Sequence, residues 1–256
     1  MKKKVVINPE FEDLREFVEH VDKRMRKKKG KILHNKRNLV KKMKTNKRKL
    51  VVKSFGRIVL INKFAYSWLR DSKAKRAYDN AMLFLSLGIN TPKPVAYVEC
   101  FRFGLLVNSY FIAKYTKFEP ISEVIYLSQE QQDEFVRDIA VFATKLHKHD
   151  IYHVDFNIEN VLFKYKNGKF IFSLIDNNRM VRTKMPLTLG VKNFSRLHFP
   201  APLLEKMVKE YIKINKGDEA VLWPLFEKYR RDFLNKDGLW RKVKRLWRKP
   251  YAEVKK

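Results

Sequence analysis

His153-Val154-Asp155-Phe156-Asn157-Ile158-Glu159-Asn160 is followed in the chain by Asp176, which ends the apolar run Phe170-Ile171-Phe172-Ser173-Leu174-Ile175. Phosphoryl transfer needs a carboxylate to orient an attacking hydroxyl, and oxygen donors to hold magnesium against nucleotide phosphates. Asp155, Asn160 and Asp176 can supply the three groups. Between the last two stand Val161-Leu162-Phe163-Lys164-Tyr165-Lys166 and Lys169-Phe170-Ile171-Phe172-Ser173-Leu174-Ile175, separated by Asn167-Gly168. That pattern predicts two strands around a two-residue type I′ turn. Such a hairpin brings Asp176 back beside Asn160, so the spacing has a geometric reason.

Composition sets the frame. With 256 residues, 45% of them hydrophobic, the chain can build one substantial domain or two small lobes sharing a cleft. No apolar run approaches the ~18 residues that span a bilayer, and Met1 to Pro9 holds too short an apolar segment for a secretory signal. A cytosolic location is expected by default. Cys100 is the only cysteine, so no disulfide framework exists within the chain, and a buried structural thiol is expected. The formal net charge of +30 repels itself unless anions lie nearby. Nucleic acid, an anionic membrane face or a glycolipid rich in phosphate and carboxylate would each suit that field, and composition does not choose among them.

Apolar residues recur at helical intervals from Phe11 to Val21, which predicts a surface helix. From Lys23 to Lys53 the chain is dense in Lys and Arg, yet Ile32-Leu33, Leu39-Val40 and Leu50-Val51-Val52 mark three short strands, with His34 to Asn38 as a turn. A disordered basic arm or targeting segment is the alternative. The third of these strands ends in Lys53, whose ammonium can project into a cleft and bind nucleotide phosphate, or be an ordinary solvated side chain. Ser72 is a helix N-cap, and Ala74, Ala77, Tyr78, Ala81, Met82 and Leu85 keep helical spacing up to Gly88, a natural stop. Asp79 lies in this helix, either paired with Lys53 across the cleft or as an exposed carboxylate.

Val95 to Val98 and Leu105 to Ala113 read as two more strands, completing a small antiparallel sheet. After Lys114-Tyr115-Thr116 the pattern becomes helical, with Ser128-Gln129-Glu130-Gln131 as a capping box before Phe135, Ile139, Phe142, Ala143 and Leu146. A boundary near Lys117 follows, giving lobes 1–116 and 117–256, with Tyr115 in a hinge that lines an adenine pocket. Helices are expected from Leu203 to Ile214 and from Ala220 to Leu234. In the ending, Leu239 to Tyr251, residues Trp240, Val243, Leu246 and Trp247 share one helical face while Lys and Arg fill the other. An interfacial helix on an anionic bilayer has this arrangement; a docked terminal helix is the alternative, and nucleic acid could use the same residues.

These residues together resemble the lipopolysaccharide kinase family of Gram-negative bacteria, the Kdo and heptose kinases, within the protein-kinase-like fold. The resemblance runs from about Gly30 to Asn193. It rests on Val51-Val52-Lys53-Ser54-Phe55, Ser72 to Tyr78, Gly88 to Pro94, His153 to Asn160 and Ile175-Asp176-Asn177-Asn178-Arg179-Met180. It implies an α+β bilobal fold, with a small antiparallel-sheet N-lobe and a mainly helical C-lobe. By the same resemblance Lys53 is the nucleotide lysine and Asp79 its helical acidic partner. Asp155 is the catalytic-loop aspartate, Asn160 and Asp176 are metal ligands, and His153 braces the loop.

The chain departs from the family pattern in several places. Asp79 stands where glutamate is usual, one methylene shorter. No G-x-G-x-x-G precedes Lys53, so Lys36 and Arg37 in the His34 to Asn38 turn would meet the phosphates instead. Asn157, Asn177-Asn178 and the missing Ala-Pro-Glu depart from protein Ser/Thr kinases and suit a small or lipid-linked acceptor. The implied activity is ATP- and magnesium-dependent phosphorylation of a Kdo or heptose hydroxyl of the lipopolysaccharide inner core. The implied setting is peripheral, on the inner face of the cytoplasmic membrane. An atypical kinase of ribosome assembly and a kinase-like binding module without turnover are the alternatives.

Overall fold

The computed structural model describes residues 1–27, 29–35, 38–45, 48–56 and 71–248, with side chains described up to residue 236. Two compact units divide the chain. The first comprises Met1–Glu119 together with Asn160–Lys164 and Phe172–Met180; the second comprises Pro120–Glu159, Tyr165–Ile171 and Val181–Lys256.

In the first unit, β1 (Lys2–Ile7), β2 (Lys31–Asn35), β3 (Leu39–Lys44), β4 (Lys49–Ser54), β5 (Pro94–Arg102) and β6 (Leu105–Lys114) form an antiparallel sheet. Its order is β1-β5-β6-β4-β3-β2. Successive side chains in a strand point to opposite faces. Leu50 and Val52 therefore enter a core with Val98, Cys100 and Ile112, while Lys53 turns to the other face. A 3-10 helix, Pro9–Leu14, with α1 (Arg15–Glu19) and α2 (Val21–Arg26), covers the first face. Helix α3 (Lys73–Ser86) covers the second, with Ala74 and Tyr78 against Phe55 and Tyr97.

The single surface helix predicted from Phe11 to Val21 is thus three short turns whose apolar side is buried. Phe11, Leu14, Phe17, Val18, Val21 and Met25 are all in the core, each large side chain contributing about 1.5–3 kcal/mol by leaving water. The lysine-rich stretch forms strands, and the sheet explains one of its charges. Buried Lys41 donates to the carbonyls of Met25 and Lys27, both at 2.8 Å, so its ammonium caps the end of α2 instead of lying unpaired. Strand β1 was not foreseen in the sequence. It pairs with β5 at the sheet edge, where lysines discourage pairing with a further chain. Cys100 is buried, and burial pushes its thiol up to about 11.

The ends of α3 follow the sequence closely. Ser72 accepts from the Lys75 N–H at 3.1 Å. Gly88 has φ of 66°, and the N–H groups of Gly88 and Ile89 return to the carbonyls of Leu85 and Phe84 at 3.1 and 2.8 Å. This is a Schellman ending, which needs the left-handed conformation that glycine adopts without strain.

The second unit is mainly helical: α4 (Gln129–Lys148), α5 (Leu187–Phe194), α6 (Ala201–Ile214) and α7 (Glu219–Arg248). The capping box at Ser128 and Gln131 is formed, and Phe135, Ile139, Ala143 and Leu146 are buried. Helix α7 runs through both the Ala220 to Leu234 segment and the start of the basic tail as one element. The interfacial face expected of Trp240, Val243, Leu246 and Trp247 lies outside the described side chains, as do Lys36 and Arg37 of the phosphate-covering turn. Among the described residues no helix is long and apolar enough to cross a membrane.

The short strands β7 (Glu119–Pro120), β8 (Ile151–His153), β9 (Val161–Lys166), β10 (Lys169–Leu174) and β11 (Met180–Arg182) complete the fold. Asn167 and Gly168 have φ of 54° and 70°, the two positive values that define the predicted I′ turn between β9 and β10.

Candidate active site

Three of the residues singled out in the sequence meet in the first unit. The Ile175 N–H donates to the Asn160 carbonyl at 2.9 Å, so the hairpin does set Asn160 next to Asp176. The Lys53 ammonium lies 2.7 Å from the Asp176 carboxylate, and their side chains are 16% and 31% exposed.

Asp176 itself is left-handed, with φ 61° and ψ 43°. A non-glycine residue there costs about 1 kcal/mol or more and persists only where its neighbours fix it. They do. The Asn177 amide donates to Thr91 Oγ1 at 3.0 Å, Thr91 donates to the Leu174 carbonyl at 2.7 Å, and Asn80 of α3 donates to the Asn177 carbonyl at 2.6 Å. The Leu174 N–H also reaches the Asn90 carbonyl at 2.9 Å. Helix α3 and the loop after it therefore clamp both sides of Asp176. Asn177-Asn178, read in the sequence only as a departure from Phe-Gly, is buried, and Asn177 is part of that clamp.

Asp79 departs from expectation. Its carboxylate is 2.8 Å from Lys75, which also holds Asp71 at 2.9 Å, and these two hydrogen bonds donated by the lysine, that to Asp79 the stronger, raise its pKa. A lysine one turn back on the same helix reaches a short aspartate side chain readily, and Lys53 is paired with Asp176 instead. Tyr115 follows β6, where its N–H donates to the Lys49 carbonyl at 2.9 Å and its ring carries the Lys42 ammonium 3.5 Å from the centroid.

Asp155 belongs to the second unit, on the loop after β8. Buried residues on both sides hold it. His153 and Phe156 are fully buried, and the Phe156 N–H closes a turn onto the His153 carbonyl at 3.1 Å. Asn157 accepts from the Glu159 N–H at 2.9 Å. From behind, the Asn193 amide donates to the His153 carbonyl at 2.9 Å, while its oxygen meets His147 Nε2 at 3.2 Å and His147 Nδ1 meets the Tyr211 hydroxyl at 2.8 Å. Burial pushes His147 down to about 4, partly offset by its bond to Asn193. A Cβ on Gly190 would stand 2.0 Å from the Tyr211 hydroxyl, so only glycine leaves room for this chain of bonds.

The sequence reading did not find His147, Asn193 and Tyr211. Their one trace in it is polar groups on otherwise apolar helix faces. It also did not find Arg196, whose guanidinium lies 3.9 Å from the Asp155 carboxylate. Among the described residues no group of three or more His, Cys, Asp or Glu could hold a metal ion. Magnesium does not require one, since it is commonly held by one or two protein oxygen ligands together with substrate phosphates.

A lysine on an antiparallel sheet, paired with an aspartate that follows a hairpin, and a loop aspartate backed by helices define a protein-kinase-like phosphotransferase. The lipopolysaccharide kinase (Kdo/WaaP) family profile matches residues 19–216, and the chain belongs to that family. Its activity is therefore that of a lipopolysaccharide core kinase, which decides against the ribosome-assembly alternative.

Solved structures agree in fold. WaaP, determined in complex with acyl carrier protein, superposes with a TM-score of 0.62 at 16% identity, covering 90% of this chain and 98% of that one. The aminoglycoside phosphotransferase APH(2")-IIa, in its ternary complex with streptomycin and ATP, gives 0.53 at 14% identity over 88% and 87% of the two chains. ADP-bound APH(2'')-Ib gives 0.51 at 14% over 94% and 92%. No curated protein matches the chain in sequence.

Proposed function

We propose that the chain transfers the γ-phosphate of ATP to a Kdo or heptose hydroxyl of the lipopolysaccharide inner core. The observation that carries this reading is the juxtaposition of Lys53, Asn160 and Asp176, with Asp155 on the loop that leads into Asn160. Lys53 binds nucleotide phosphate, and Tyr115 lines the adenine pocket. Asp155 accepts a hydrogen bond from the acceptor hydroxyl and takes its proton as the oxygen bonds to the γ-phosphorus and the bond to the β-phosphate oxygen breaks. Asn160 and Asp176 offer the oxygen ligands that would hold Mg²⁺, which when bound neutralises phosphate charge.

The working place in this reading is the inner face of the cytoplasmic membrane. A net charge of +30 and a helix that continues to Arg248 support a peripheral attachment through the basic tail, each cation near an anionic surface contributing about 1 kcal/mol. The test is to incubate the purified chain with ATP, magnesium and dephosphorylated core glycolipid and to read the sugar products by mass spectrometry. One added phosphate on an inner-core sugar is expected. Turnover of ATP with no phosphate on any core sugar would overturn the acceptor assignment.

A further inference from the structure

The segment that follows α5 brings a cation to Asp155. Arg196 Nη1 stands 3.9 Å from Asp155 Oδ1, and the arginine side chain is 34% exposed. At that separation the contact is a loose ion pair and not a hydrogen bond, so the fork of N–H donors stays available to a third group. The arginine is nonetheless fixed. Its guanidinium lies 5.6 Å from the centroid of the Phe233 ring on α7, and the preceding Ser195 carbonyl accepts from Arg230 at 2.7 Å. His198 packs on the same Phe233 ring at 5.5 Å, and Lys192 sits over Tyr229 at 5.2 Å. Lys192 and Arg196 thus each lie against an aromatic ring of α7, and Arg196 is the one that stands beside the loop aspartate.

The geometry points to Arg196 as an anion-binding residue for the acceptor: it takes a carboxylate or phosphate carried close to the hydroxyl that Asp155 orients. The inference rests on the assignment of Asp155 made above and adds what the acceptor must carry. A planar guanidinium matches either anion bidentately. Hydrogen bonds of about 2.8 Å at each end of the 3.9 Å Asp155–Arg196 pair set hydroxyl and anion on the order of 10 Å apart. The anionic group therefore belongs to the same sugar or to one directly linked. Two polyanions meet in this reaction, and Arg196 offsets the charge of the one that accepts.

The test compares wild type with Arg196→Gln and Arg196→Lys in two assays. In the first, label transfer is followed to core glycolipid lacking the phosphate that this kinase adds, to the same glycolipid after methyl esterification of its carboxylates, and to the same glycolipid after phosphatase removal of its remaining phosphates. Arg196→Gln is expected to raise the acceptor KM roughly tenfold or more with the KM for ATP within about twofold. One of the two treated acceptors should give wild type the same raised KM, which tells carboxylate from phosphate. Arg196→Lys keeps the charge without the fork and falls between; it carries the comparison if Arg196→Gln melts well below wild type. An acceptor KM unchanged in both variants would overturn the inference.

In the second assay, NMR titrations of glucuronate, glucose 6-phosphate and glucose need no turnover. At least one of the anionic sugars should bind wild type and lose that binding in Arg196→Gln. Equal binding to both proteins would overturn the inference, whereas wild type that labels no core glycolipid overturns the proposed function alone.

Discussion

Lys53 holds Asp176 at 2.7 Å, while Asp79, on the helix that covers the same sheet face, is bound at 2.8 Å to Lys75. Lys53 is thus oriented by the hairpin aspartate, and the helix contributes through its grip on the Asn177 backbone. The segment that carries Asp176, proposed above as a metal ligand, is the segment that α3 clamps.

Removal of the ammonium should be costly. Lys53→Met is expected to lower kcat by about 10²–10³, the usual loss when one preorganised cation or donor is taken from a phosphoryl site, with folding retained. Steady-state kinetics with a thermal melt on the same sample checks this, and a loss of less than about fivefold would remove Lys53 from the nucleotide site.

Asp79→Ala should behave differently. Asp79 is exposed and pairs with Lys75 one turn back on its own helix, and pairs of this kind contribute only ~0.3–0.5 kcal/mol. The KM for ATP is expected to stay within about threefold. A tenfold rise, measured by initial rates over an ATP series, would restore Asp79 to the role that the sequence resemblance gives it.

Stability should fall as the medium becomes acid. His147 is neutral and buried, with its pKa depressed from 6.5 to about 4. Below about pH 6.5 the unfolded chain therefore binds a proton that the folded chain does not. Stability is fully present above that pH and is lost progressively on the way down, by about 3 kcal/mol at pH 4 from this group alone. Urea melts across that range should show a smaller pH slope in His147→Gln, and an unchanged slope would place the acid sensitivity elsewhere.

The basic tail gives a prediction at a larger scale. Flotation with vesicles should recover the protein on anionic but not neutral lipid, and binding should weaken as salt shortens the Debye length below about 10 Å. Truncation after residue 236 should abolish it. Equal binding to both vesicle types, or copurifying nucleic acid displaced by salt in place of lipid binding, would contradict the membrane assignment.

Much of this was legible because local chemistry and tertiary structure agree. Asn167-Gly168 can only turn one way, Ser72 and Gly88 fix both ends of a helix, and period-two alternation aims Lys53 away from the apolar core. What was not legible depends on partners remote in sequence. Which acid meets Lys53 is decided by the left-handed turn at Asp176 and its clamp through Thr91 and Asn80, contacts no spacing rule encodes. Lys2 to Ile7 became a strand because β5 offered an open edge, and Asn193 took its role from a carbonyl at His153 that lies 40 residues away. Arg196 looked like one charge among 57 Lys and Arg until the fold placed it beside Asp155.

The most direct measurement is the single-turnover rate of label transfer from γ-labelled ATP to dephosphorylated core glycolipid, in wild type and in Asp155→Asn, with ATP affinity measured for both. A fall of about 10²–10⁴ in rate, with ATP bound equally well, is the expected result. A variant that transfers label at close to the wild-type rate would contradict the assignment of Asp155 as the group that orients and deprotonates the acceptor hydroxyl.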